Sequence, residues 1–497
     1  MIKRKILMAV VTISLAGGMA ACKKSGVNPK NDHSLNAGIA EDCGCSVVAT
    51  SDSTISGQIT TDLHLSNTVV YKLSGLVFVT GNHTLTIDPG TRILGLPGTA
   101  DGSVAGGGLV ITRGSKIQAV GTSSCPIVFT SYRYDNNPQS GDWSGIVLLG
   151  KAPTNNYPAS IEGINNTLYP GIDVLYGSDA PDAHDNSGTM KFVRIEYGGY
   201  VLSPNNEING LTFGGVGDGT TIDYVEVFKA NDDSFEFFGG TVSPSHIISV
   251  DGLDDMFDTD NGYAGTISYA LGMSDVTRPD VSQSNGLESD NNATGTGATP
   301  NTHAHYNHIT IIGLPNATLA SEQITIPPNG NASSGTGRYG RAAHLRRGAE
   351  FDIQNGIFLG FNYGLSIDTA LGNTKGKYLA GTSSVTNTFV HAFGTSATAA
   401  APHLAAYDVE GNGISATGSG FSLDAAFYNK AITDGNTGMV DADPGVLGLE
   451  DPFNRSSVGA LNFMAGSFTD ADQAGAGAFP GREDWTIVNG CYNWTRY

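Results

Sequence analysis

One segment of the chain is written twice at a spacing of 22 residues. Tyr224-Val225-Glu226-Val227 leads to Asp232-Asp233-Ser234-Phe235-Glu236, and His246-Ile247-Ile248-Ser249 then leads to Asp254-Asp255-Met256-Phe257-Asp258. The apolar positions coincide, and so do the acidic ones. A unit this short, made of strand-like pieces and Gly, Asn and Asp turns, cannot bury its own apolar face. It must stack on copies of itself, which defines a parallel β-solenoid. Equivalent residues of successive coils then lie about 4.8 Å apart. Six carboxylates at that spacing repel one another unless protons or a cation intervene.

Composition agrees with an all-β chain. The 67 glycines among 497 residues, with only 15% charged residues, favour turns and strands over helices. Acidic residues number 47 against 26 basic ones, for a net charge of −21. That balance disfavours nucleic acid and anionic membrane surfaces as partners, and is compatible with cations, neutral glycans or another protein.

The N-terminus reads as a targeting segment. Lys3, Arg4 and Lys5 precede an apolar stretch from Ile6 to Leu15, too short to span a bilayer, and Met19-Ala20-Ala21-Cys22 follows. Small residues before a cysteine resemble the bacterial lipobox, so residues 1–21 are expected to be a signal peptide and Cys22 the lipidated mature N-terminus. Lys23-Lys24 favours the outer membrane, with the lipid as the sole membrane attachment. Residues 22–42 are polar and rich in Gly, Asn, Pro and Ser, as in a flexible tether. Export permits disulfides, and Cys43 or Cys45 with Cys125, leaving one for Cys491, is a pairing that spacing alone leaves open.

Residues 43–400 are expected to form the β-helix, about 12 coils, and 401–497 the final coils and a cap in which Trp485 and Trp494 cover the open end. Val193, Val225, Ile247, Ile309, Ile357 and Phe389 read as equivalent strand positions. Asp368 then joins Glu236 and Asp258, and 197–211, 271–304, 314–340 and 370–384 become surface loops.

The acidic ladder, Asp232, Asp233, Glu236, Asp254, Asp255 and Asp258, suits Ca²⁺, which takes six to eight oxygen ligands. The same residues serve equally well as turn formers. A pair of them set across a groove would also meet the requirement of a glycoside hydrolase. A calcium-dependent lyase would add a basic residue from the run Arg338, Arg341, Arg346 and Arg347. These four arginines, with His246 and His308, are the candidate ligand-facing residues. His303, His305 and His308 cluster in sequence. With His308 stacked on His246, these two and His305 offer nitrogen ligands for a transition metal, or else simply form a polar ladder on the solenoid wall. The glycine run 214–219 lacks the Lys-Ser/Thr of a phosphate loop, and no Gly-x-Ser-x-Gly elbow or His-Glu-x-x-His helix occurs.

The opening strands, with Ile87-Asp88-Pro89-Gly90-Thr91, Pro126-Ile127-Val128-Phe129-Thr130-Ser131 and Gly141-Asp142-Trp143-Ser144-Gly145-Ile146, resemble the entry region of right-handed parallel β-helix proteins. Phe192-Val193-Arg194-Ile195-Glu196-Tyr197-Gly198-Gly199, Asn209 to Gly217, Asp232 to Val242, Ala342 to Gly348 and Asp484-Trp485-Thr486 resemble a family of exported, uncharacterised Bacteroidota lipoproteins with a pectin-lyase-like fold. The resemblance implies fold and export, and brings no catalytic residues with it. The expectation is an outer-membrane lipoprotein, at the cell surface or the periplasmic face, that binds a glycan or a protein partner without catalysis and is stabilised by Ca²⁺. A polysaccharide lyase or glycoside hydrolase on the same scaffold, and a structural adhesin, are the alternatives.

Overall fold

A computed structural model describes residues 45–99, 104–203, 206–326, 335–394, 402–411, 424–449, 452–453, 475–489, 491 and 493–496. Residues 1–44 lie outside it, and with them the signal peptide, Cys22, the tether and Cys43.

The chain winds as a right-handed parallel β-helix. One coil shows the plan. Thr221–Phe228 bends at Tyr224, the chain turns through residues 229–234, Phe235–Gly240 forms the next wall, and Ser245–Val250 begins the following coil. Val225 pairs with Ile247 and Phe235 with Phe257, both parallel and in register. Alternate side chains point inward, so Val225, Val227, Phe235 and Phe237 are all fully buried. Identical positions stack ring on ring: Phe235 and Phe257 lie 5.5 Å apart and Phe213 and Phe237 4.7 Å apart, each pair nearly parallel. Each buried phenylalanine contributes about 1.5–3 kcal/mol by leaving water.

The bend at Tyr224 recurs in every coil from Phe192 onward. Phe192, Tyr224, His246, Tyr269, His308, Asn355 and Asn387 occupy one column, and all have φ between 47° and 55°. The left-handed conformation costs a residue other than glycine about 1–2 kcal/mol. Stacking offsets that cost: Phe192, Tyr224, His246, Tyr269 and His308 form a continuous pile with centroid spacings of 4.6, 4.4, 5.0 and 5.2 Å.

Several expectations are corrected. Ile357 and Phe389 sit one position off the expected ladder, since Ile309 pairs with Gly356 and Thr310 with Ile357. Between Ile247 and Ile309 lies a further coil, in which Ala270 pairs with both. Tyr269 therefore separates His246 from His308, and these two do not stack on each other. Asp368 aligns with Glu410, whereas Glu236 and Asp258 continue into Glu288, His344 and Ser366. The expected loops also carry structure. Segment 271–304 contains Leu287–Ser289, a rung of the helix; 197–211 and 314–340 contain antiparallel hairpins; and 370–384 contains the helix Thr374–Ala380.

The C-terminal tryptophans do not cover the end. Residues 475–489, 491 and 493–496 run back along the side wall as a strap, with Ala478 N–H donating to Thr310 Oγ1, Arg496 N–H to Glu226 Oε2, and Ser123 Oγ–H to the Val488 carbonyl. Trp485 packs edge-on against His246 and Trp494 against Tyr224. The aromatic column is an outward stripe, and covering it removes apolar surface from water, while the last rungs are packed by the helix Ala426–Thr433 through Phe427. At the other end of the chain, Cys45 and Cys125 form a disulfide that ties the first described residue to the coils above it.

Candidate functional site

On the wall that begins with Phe235–Gly240, the inward residues are aromatic and the outward ones acidic. Glu236, Asp258 and Glu288 stack in register, followed by His344, Ser366 and Asp408. The turn before this wall carries a second column. Asn209 Oδ1 accepts the Asp233 N–H at 3.1 Å, Asp233 Oδ1 the Asp255 N–H at 2.8 Å, Asp255 Oδ1 the Asn285 N–H at 2.6 Å, and Asn285 Oδ1 the Arg341 N–H at 2.9 Å. Each coil thus satisfies a buried donor of the next, which fixes these turns. Asp233 and Asp255 therefore hold the turns and also border the acidic column.

Asp232 and Asp254 leave the same turns and face a cleft of about 280 Å³. Glu162, Asp232, Asp233, Glu236, Asp254 and Asp280 line it together with Asn209, Asn231 and Ser282. No lysine, arginine or histidine lines it among the described residues. Its rim comes from the insertion after Met273: Ser282 Oγ–H donates to Asp254 Oδ2 at 2.6 Å, and Arg338 N–H to the Asp280 carbonyl. Asp232, Asp233 and Asp254 bring one oxygen each within 4.8 Å of one another, as do Asp233, Glu236 and Asp258, and Asp255, Asp258 and Glu288.

Burial, then mutual repulsion, pushes these carboxyls toward the protonated form. Asp233 is raised well above the usual range by burial and then by Asp232. Glu236 is raised by burial and Asp232, Asp254 by burial and Asp255, and Asp258 by burial and Glu288. Asp255 reaches about 8 and Asp260 about 7, again chiefly by burial. Asp254 Oδ1 and Asp258 Oδ1 are buried without a hydrogen-bond partner. An all-oxygen donor set with uncompensated buried oxygens fits a hard divalent cation of the Ca²⁺ kind.

The candidate arginines are committed elsewhere. Arg341 is 2% exposed and grips the buried Glu410 with two hydrogen bonds, at 3.0 and 2.6 Å. Arg346 bonds Glu288 and Asp290, and Arg347 bonds Asp290 at 2.7 Å. Burial opposes ionisation of Glu288, yet Arg346 and His344 hold it at about 2. Arg338 stands at the end of the hairpin Gln323–Ile326 with Gly335–Arg338 and does not line the cleft. His246 and His308 face the C-terminal strap, with Trp485 packed on the His246 ring and the Gly477 backbone at His308.

Glu288, Asp290, Glu162 and Asp280 belong to the acidic site and do not emerge from the 22-residue spacing. The signal for two of them is present: Leu287-Glu288-Ser289-Asp290 repeats Phe257-Asp258-Thr259-Asp260, 30 residues on.

No curated protein and no solved structure matches the chain. Residues 57–433 match the model of a pectate-lyase-like β-helix domain. That match covers most of the chain and agrees with the coil-by-coil register, and the protein belongs to the pectate-lyase-like β-helix family.

Proposed function

We propose that the protein is an outer-membrane lipoprotein, held by lipid on Cys22, that acts as a non-catalytic binding scaffold stabilised by Ca²⁺ in the acidic cleft. The observation that carries this reading is the makeup of the cleft, with six carboxylates and no basic side chain among its lining residues. Asp232, Asp233, Glu236 and Asp254 are the ligands, with Asp255 one coil on from Asp233 in the turn column and Asp258 one coil on from Glu236 on the wall. Ile161, Glu162 and residues 280–282 frame the cleft, and the segments 271–304 and 314–340 present the surface for a glycan or a partner protein. A lyase mechanism needs a cation-adjacent base, and three of the four candidate arginines are instead ion-paired to Glu410, Glu288 and Asp290.

Elemental analysis of the purified chain, with melting in Ca²⁺ and in EDTA, tests this. At free Ca²⁺ near 100 times its dissociation constant, the cation adds about 2.7 kcal/mol to folding. Stoichiometric calcium and a clear fall in melting temperature in EDTA are expected. A chain that retains no calcium and melts identically in both would overturn the cation site. Turnover of a polysaccharide by the intact chain would overturn the non-catalytic role.

A further inference from the structure

The strand His303–Ile312 lies on a different wall from the acidic cleft. Ala304 and Tyr306 fill the core, while His303 and His305 point outward from alternate positions. In the next coil Glu350 pairs with His303 and Asp352 with His305. The four side chains converge. Asp352 Oδ2 lies 2.9 Å from His303 Nε2 and 3.1 Å from His305 Nδ1, and the two imidazoles stack with centroids 4.6 Å apart. His303 Nδ1 lies 3.4 Å from Glu350 Oε2, and Lys377 Nζ is 3.0 Å from Glu350 Oε1. Ser384 Oγ–H donates to the other oxygen of Asp352, Oδ1.

We propose that His303 Nε2, His305 Nδ1 and Asp352 Oδ2 form a binding site for a divalent transition metal, with Glu350 orienting His303 from behind. Three features carry the assignment. The first is spacing. With metal–nitrogen bonds near 2.1 Å, neighbouring ligand atoms sit about 3.0 Å apart at right angles and about 3.4 Å apart in a tetrahedron. The observed 2.9 and 3.1 Å fall at the right-angled value, and His303, His305 and Asp352 each bring one donor atom within 4.8 Å of the other two. The second is the outer layer. A ligating histidine commonly donates its second N–H to a carboxylate, and Glu350 stands at His303 Nδ1 in turn braced by Lys377, while Ser384 braces Asp352. The third is the cost of the arrangement without a metal. Two stacked rings aim their nitrogens at one carboxylate oxygen. Both rings charged would repel across 4.6 Å, whereas neutral rings leave lone pairs that can converge beside the Asp352 carboxylate. A cation at the convergence point turns both nitrogen lone pairs and the carboxylate charge to use.

The donor set separates this site from the acidic cleft. Imidazole nitrogens select Zn²⁺, Ni²⁺, Co²⁺ or Cu²⁺ over Ca²⁺. His303 and His305 keep 29% and 40% of their side-chain surface exposed, so the remaining coordination positions are open to water or to an external oxygen or nitrogen donor. Any proton on the ligating nitrogens is released to solvent when the metal binds. His308 belongs to the aromatic column and takes no part.

The test is a Co²⁺ titration of the untagged full chain in saturating Ca²⁺, read by the visible d–d absorption and by competition with Zn²⁺. One Co²⁺ per chain is expected, displaced by Zn²⁺. The His303→Gln/His305→Gln double variant is expected to lose this band, and Glu350→Gln to bind about 10–100-fold more weakly. Melting of the variants in EDTA verifies that they fold, and Glu350→Gln keeps the test decisive if the double variant does not. Absence of Co²⁺ binding to the wild-type chain, or unchanged affinity in Glu350→Gln and the double variant, would overturn the proposal. Neither result bears on Ca²⁺ in the cleft.

Discussion

Arg341 shows how a surface-looking residue becomes an interior one. In sequence it is the second arginine of a loose basic run, and nothing local marks it as different from Arg346. The fold places it where three coils converge, with Glu410 fully buried across from it and Gln283 Oε1 accepting from its third nitrogen at 2.9 Å. Burial opposes the charge on Glu410, but Arg341 and then His344 hold that carboxyl at about 2. Removing one partner leaves the other charge buried and uncompensated. Arg341→Met is therefore expected to destabilise the chain by about 3–5 kcal/mol in denaturant unfolding, and Arg341→Met/Glu410→Leu to recover a large part of that loss. A single variant as stable as wild type would refute the pairing argument. The partner of this arginine stands 69 positions further along, which no local spacing rule connects.

At the scale of the coil, the repeat was legible where apolar residues are large and insertions are absent, as between Val225 and Ile247. It failed one coil later because the rung Thr266–Met273 presents Ala270 and Gly272 where its neighbours carry Ile247 and Ser249. The reason is steric: a Cβ on Gly272 would meet Met256 Sδ at 2.4 Å and Ile311 Cδ1 at 3.0 Å, so neighbouring side chains already fill that volume. The missing rung then hid Glu288 and Asp290 inside what read as a loop. The corner column was also hidden, since Phe and Tyr carry no signal for a left-handed backbone and His only a weak one. Asparagine adopts it readily, whereas a β-branched residue does so at a genuine penalty. Tyr269, with φ 51°, tests this. Tyr269→Val is expected to be less stable than Tyr269→Asn by about 1–2 kcal/mol, reversing the usual preference for valine in strands. Equal melting temperatures for the two variants would show that the corner relaxes out of the left-handed region.

At the scale of the whole molecule, pH sets the acidic wall against the ion-paired cluster beside it. Asp255 at about 8, Asp260 at about 7, and Asp233, Glu236, Asp254 and Asp258, all raised well above the usual carboxylate range by burial, hold protons in the folded chain that the unfolded chain gives up near pH 4. Between those values the folded state binds more protons, so stability falls as pH rises. Glu288 and Glu410, held at about 2, contribute in the opposite sense, and their stabilisation is lost only as pH falls from about 4 toward 2. His344 is opposed by burial and by Arg341, but its bonds to Asp368, Glu288 and Glu410 raise it to about 9. Its contribution is complete below about pH 6.5 and is lost as pH rises through 9. In EDTA the melting temperature is therefore expected to peak near pH 4–5 and to decline steadily toward pH 8. Ca²⁺ competes with the protons for the same oxygens, so saturating Ca²⁺ is expected to leave the acid limb unchanged and to remove most of the decline above about pH 6. Asp254→Asn removes one repelling charge and one ligand together. It is expected to melt higher than wild type in EDTA at pH 8 and to gain less from Ca²⁺. Calorimetric scans across this range, with and without Ca²⁺, read all three effects. A wild-type melting temperature flat from pH 5 to 8 in EDTA would mean that the wall disperses its charge without protons, and the argument for a cation there would fall with it.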